Sequence, residues 1–136
     1  MKLFRRLRRD ENGVAAIEMA FALPILILMI YIFVQLAQVY RSVAGIQQAL
    51  GEGARMATLW PRPDAQAIED KINASVYGIG PGDFTVDPPQ LKNDGTEIGN
   101  YYDLKVSYTQ PTNLIFFPGP DISVSRTKRV WVAPED

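Results

Sequence analysis

One stretch of the chain is apolar on every side. From Val14 to Tyr40, 23 of 27 positions are apolar, and only Glu18, Pro24, Gln35 and Gln38 interrupt the set. Between Glu18 and Arg41 lie 22 residues without a charge. At about 1.5 Å per residue they make roughly 33 Å of helix, enough to cross a hydrocarbon core about 30 Å thick. A helix packed in a soluble core needs an apolar stripe only, whereas lipid wants apolar residues all round. The pattern predicts a transmembrane helix over residues 14–40.

Past Tyr40 the pattern changes period. Val39, Val43, Ile46, Leu50, Ala54 and Ala57 recur at spacings of three and four, one apolar stripe of an amphipathic extension over residues 41–60. This stripe is expected to pack on the chain's own head, on neighbouring subunits, or on both. Gly45, Gly51 and Gly53 interrupt it, and each costs up to about 1 kcal/mol against Ala in a helix. They either admit a close neighbour or weaken the helix. Trp60-Pro61-Arg62-Pro63 is expected to end it.

Residues 61–136 predict a small head. Asp64 is placed to cap a short helix reaching about Val76, with Ile68, Ile72 and Val76 on one face. Phe84-Thr85-Val86 reads as a short strand stopped by Pro88-Pro89. Asn93-Asp94-Gly95 reads as a turn, too short an acidic cluster for a calcium loop. Tyr102, Leu104, Val106 and Tyr108 alternate with Asp103, Lys105, Ser107 and Thr109, a half-buried strand. In the last strand Ile122, Val124, Val130 and Val132 share a parity with Arg126 and Lys128, which implies a bulge, an edge position or a second exposed segment. Leu114-Ile115-Phe116-Phe117 is either a loop tucked over the core or a subunit or membrane contact. The fold class is α+β: a long N-terminal transmembrane helix running into a small periplasmic head, with a short helix and an antiparallel sheet of about three strands.

Charge orients the apolar block. Residues 1–13 carry Lys2, Arg5, Arg6, Arg8 and Arg9 against Asp10 and Glu11, a net of +3. Positive charge keeps that end in the cytoplasm, so the C-terminal part is expected in the periplasm. A secretory signal has an apolar core of about 7–15 residues, shorter than this block. Composition adds exclusions. The chain of 136 residues has no His and no Cys. Histidine-based triads, thiolate metal sites and disulfides are therefore excluded. A formal net charge of −1 argues against nucleic acid. No paired carboxylate, Ser/Lys or Tyr arrangement stands out for catalysis, and no cofactor or metal is expected.

The junction of leader and apolar block holds the most specific pattern. A basic leader ends at Gly13, and one carboxylate, Glu18, follows inside the apolar run. With Val14 taken as the first mature residue, Glu18 is the fifth. A carboxylate in a membrane span costs on the order of 2–3 kcal/mol at mid-span, less near an end, so it is functional by default. Val14 and Glu18 stand at i and i+4, on one helix face. Pro24 leaves the Ala20 carbonyl without its helical donor, and a kink is expected there. It either loosens the helix for filament packing or is a proline of the kind membrane helices tolerate.

This arrangement resembles the type IV prepilin processing motif. The string DENGVAAIEMAFALPILILMIYIFVQL and the later GEGARMA resemble the TadE-like family of the tight-adherence (Tad) pilus system. The resemblance implies that a prepilin peptidase cuts between Gly13 and Val14 on the cytoplasmic side, and that Glu18 serves assembly. Met19 stands where many pilins of this branch have an aromatic residue, which points to a minor subunit. It further implies a minor pilin or pseudopilin that contributes to pilus biogenesis and surface adherence. The implied partners are the peptidase, other pilin-like subunits and the Tad machinery, and the implied site is the bacterial inner membrane or the pilus. Glu18 would pair with the new amine of Val14, in its own chain or in a neighbour. The alternative is an uncleaved, signal-anchored inner-membrane protein presenting a periplasmic binding domain.

Overall fold

The computed structural model describes residues 11–96, 99–113 and 118–133. The basic leader before Glu11 and the Leu114–Phe117 segment lie outside the described residues. The described chain is α+β, as the pattern predicts. It divides into two units, one through Val34 and one from Gln35 onward.

Helix α1 runs over Glu11–Ala57 with Pro24 inside it. From Val14 to Val34 its large apolar side chains are exposed, apart from the half-buried Leu28 and Tyr31; Phe21 is 72% exposed and Ile25 67%. Such a surface is costly in water and suits lipid. This helix is long and apolar enough to cross a membrane. From Gln35 onward one face is buried: Gln35, Val39, Ser42, Ile46, Ala49, Leu50, Ala54 and Ala57. These positions follow the expected stripe except at Val43, which is half-buried while its neighbour Ser42 is buried. The helix ends at Ala57, three residues before Trp60, in two turns closed by Thr58 N–H to Arg55 O and Leu59 N–H to Met56 O.

Helix α2, Ala65–Ser75, is capped by Asp64, whose carboxylate accepts from the Ala67 N–H at 2.7 Å. Its buried residues are Ile68 and Ile72. Gly53 of α1 faces the Ile72 side chain, and Gly45 faces the backbone of Tyr77, so a Cβ at either would collide. Gly51 faces open space. Two of the three glycines therefore admit a close neighbour from the same chain.

The sheet has four strands: β1 (Asp83–Asp87), β2 (Leu91–Asn93), β3 (Asn100–Gln110) and β4 (Ile122–Trp131). All pairings are antiparallel. β3 is central, with β1 against its second half, β2 against its first residues, and β4 along its full length on the other side. The expectation of about three strands becomes four because Pro88-Pro89 divides one edge into two short pieces in line. β2 is three exposed residues, too short to show an alternation. The inner face of β3 presents Tyr102, Leu104, Val106 and Tyr108, all buried, and joins Ile46, Leu50, Ile68, Ile72, Val86 and Val130 in one core. The pairing of β4 with β3 is unbroken from Tyr101↔Trp131 to Gln110↔Ile122, so β4 has an edge position and no bulge against β3. Arg126 and Lys128 stand opposite Val106 and Leu104 yet are exposed, as basic residues of an edge strand are.

Candidate functional site

The residues expected to serve processing and assembly, Gly13, Val14 and Glu18, lie in the first unit. Gly13 lies in α1, two residues after Glu11. Val14 follows it, and Glu18 is one turn further on the same face. All three are exposed. Pro24, six residues past Glu18, is embedded in the continuous helix among exposed Leu23, Ile25 and Leu26. Glu18 is the single acidic residue between Gly13 and Arg41. An exposed carboxylate in a lipid-facing span needs a cation or donor from elsewhere. A free amine at Val14, one turn away, would be such a partner.

The second unit shows polar contacts that hydropathy alone hides. Gln35 is buried, donates from Nε2 to the Asn113 carbonyl at 2.6 Å and accepts at Oε1 from the Asn113 N–H at 3.2 Å. Ser42, fully buried, donates from Oγ toward the carbonyls of Gln38 and Gly78, each at 3.0 Å. Gln110, also fully buried, accepts from the Tyr108 hydroxyl at 2.9 Å. Gln35 and Ser42 fall on the stripe carried by Val39 and Ile46, but their polar groups are buried only because distant partners meet them. Nothing in the alternation marks Gln110 beyond its parity with Tyr108.

Among the described residues no group of His, Cys, Asp or Glu could hold a metal ion. The acidic turn after β2 is satisfied internally. The Asn93 side chain accepts from the Gly95 N–H at 2.6 Å, and Asp94 accepts from the Thr96 N–H and hydroxyl. Gly95 has φ +91°, a conformation few residues other than glycine adopt. The bonds from Thr96 hold the Asp94 carboxyl below the usual carboxylate range. The turn reading of Asn93-Asp94-Gly95 stands.

The outer face of the sheet is densely charged. Arg129 donates to both oxygens of Asp103, at 2.9 and 3.2 Å, and Lys92 reaches the same carboxylate at 3.3 Å. The bonds from Arg129, then from Lys92, hold the Asp103 carboxyl below its ordinary value, and Asp103 in turn raises the Arg129 guanidinium. Arg129 also lies over the Tyr101 ring, 4.1 Å from its centroid.

The arrangement is that of a single-pass membrane protein candidate: one lipid-compatible helix, a carboxylate near its start, and a small α+β head. Residues 13–55 match the family described as TadE-like protein, a span that lies within α1. That match suggests a pilin-like protein associated with the Tad pilus and with its assembly partners in general. No curated protein and no solved structure matches the chain.

Proposed function

We infer that the chain is a minor pilin or pseudopilin of the tight-adherence pilus, made as a precursor and clipped between Gly13 and Val14 by the prepilin peptidase. The observation that carries the reading is the placement of Gly13, Val14 and Glu18 on the first two turns of an apolar helix that matches the TadE-like pattern. Gly13 suits a cut site on physical grounds. It has no Cβ to obstruct a peptidase. Cleavage removes a +3 leader and creates an amine at Val14. That amine, or the amine of a neighbouring subunit, neutralises Glu18 inside the bilayer and sets the axial register of subunits. The leader holds the N-terminus in the cytoplasm and places the head in the periplasm. The chain is a substrate rather than a catalyst, and contributes to pilus biogenesis and surface adherence.

Mass mapping of the protein purified from peptidase-competent cells tests this. The expected N-terminus is Val14. An intact Met1 terminus overturns the reading in favour of an uncleaved, signal-anchored protein presenting its head as a binding domain. Glu18→Ala is expected to abolish piliation while the protein level holds.

A further inference from the structure

The outer face of the sheet carries a feature that lies apart from Gly13, Val14 and Glu18. Directly paired residues share a face. β1 therefore places Thr85 and Asp87 beside Ser107 and Lys105, and β4 places Ser125 and Thr127 on their other side. Within this face lies a cleft of about 450 Å³, in the size range of small-ligand sites, lined by Asp87, Gln90, Lys92, Asp103, Lys105 and Thr127. One strand row further on, Tyr101 and Trp131 stand opposite each other with ring centroids 5.1 Å apart. Trp131 is 51% exposed. Arg129 covers one face of Tyr101 and is itself fixed by Asp103. The open aromatic surface is therefore Trp131, one strand row beyond the Asp103–Arg129 pair that borders the cleft.

Charge decides what fits. Lys105 pairs with Asp87 at 2.8 Å, and Lys92 and Arg129 both pair with Asp103. Every cation of the cleft has a carboxylate partner, so an anionic polymer gains no free positive charge and meets two carboxylates. A protein interface core is depleted of charge, and this face is rich in it. What the cleft offers freely is the Gln90 amide, the Thr127 hydroxyl and spare carboxylate lone pairs, with the paired Ser107 and Ser125 adding hydroxyls on the same face beside it. Those groups suit a neutral ligand dense in hydroxyls. The exposed indole supplies the apolar plate that such a ligand needs for its C–H face. We propose that this cleft and Trp131 form a binding site for neutral polysaccharide, with a pyranose ring stacked on Trp131 and its hydroxyls bonded along the cleft.

The full chain in detergent micelles is run on native gels containing dextran, laminarin, mannan or galactan, with polygalacturonate as an acidic counterpart. Retardation by at least one neutral polymer, unchanged by raised salt, is expected. Trp131→Ala should weaken it at least tenfold, and Thr127→Ala, a change at an exposed hydroxyl, should weaken it several-fold, with the far-ultraviolet circular dichroism of both variants unchanged. The chain has two tryptophans. In the Trp60→Phe background the remaining emission reports Trp131 directly, and the retarding polymer should shift it saturably. No retardation by any neutral polymer overturns the proposal, as does retardation by polygalacturonate alone or binding undiminished in Trp131→Ala.

Discussion

Gln35 and Asn113, 78 positions apart, close a two-bond ring: the Gln35 amide donates to the Asn113 carbonyl and accepts from the Asn113 N–H. The polar interruption at the end of the apolar run is thus a clamp between helix α1 and the segment after β3. Both groups of Asn113 are backbone, while Gln35 itself is buried. Gln35→Leu restores apolar continuity to the helix but removes both bonds, and the exposed Asn113 turns its N–H and carbonyl to water. A hydrogen bond of this kind is worth a net ~0.5–1.5 kcal/mol. Thermal unfolding of the head, followed by near-ultraviolet circular dichroism in micelles, should therefore start lower in Gln35→Leu. Leu36→Ala, at an exposed neighbour, should leave it nearly unchanged.

Gly45 and Gly51 of α1 separate by sign. A Cβ at Gly45 meets the Tyr77 backbone, which cannot yield as a flexible side chain would. Gly45→Ala is expected to destabilise the head by about 1–3 kcal/mol, the usual cost of overpacking. Gly51 meets nothing within 4 Å. Gly51→Ala should stabilise by roughly 0.5–1 kcal/mol through helix propensity alone. Chemical denaturation of the two variants side by side checks the prediction, since opposite signs are required.

What was legible in the chain was what repeats locally. The span of α1, the Asp64 cap and the alternation of β3 each follow from a period or a neighbouring residue, and each is found in the structure. Gly13 and Glu18 stand out in the sequence for the same reason, because their relation is five residues long. β2 was not, since three exposed residues carry no period. Gln35, Ser42 and Gln110 were not, because a buried polar side chain is explained only by its partner. The partner of Gln35 sits at Asn113 and one partner of Ser42 at Gly78. The outer cleft needs the register of three strands at once, and register is a long-range outcome of the core packing on the other face.

Leu104 measures how far that core depends on the central strand. It is fully buried, opposite the exposed Lys128, and packed with residues of both helices. Leu104→Ala removes buried methyl groups and leaves a cavity, which costs about 2–5 kcal/mol. A head from Gln35 onward is small, and small cores are marginal. The substitution is expected to unfold it at moderate temperature, seen as early protease sensitivity. Leu91→Ala, at a residue 46% exposed on β2, should leave the cleavage pattern as it was.

Asp103 gives the head a pH dependence of known sign. Its carboxyl is held below its ordinary value first by the hydrogen bonds from Arg129, with Lys92 adding to them and burial opposing. A depressed value in the folded state means that the unfolded chain binds the proton more readily. The contribution is therefore complete well above the unfolded value of about 3.9 and is lost as the pH falls through the lower folded value. Asp103→Asn removes the carboxylate at every pH. The difference in Tm between the native chain and Asp103→Asn should be constant from neutral pH down to about pH 5, small because the pair is exposed, and should shrink toward zero below about pH 4. Melting curves of both proteins taken across that range decide the matter, and a difference that widens with acid would contradict the Arg129–Asp103–Lys92 pairing.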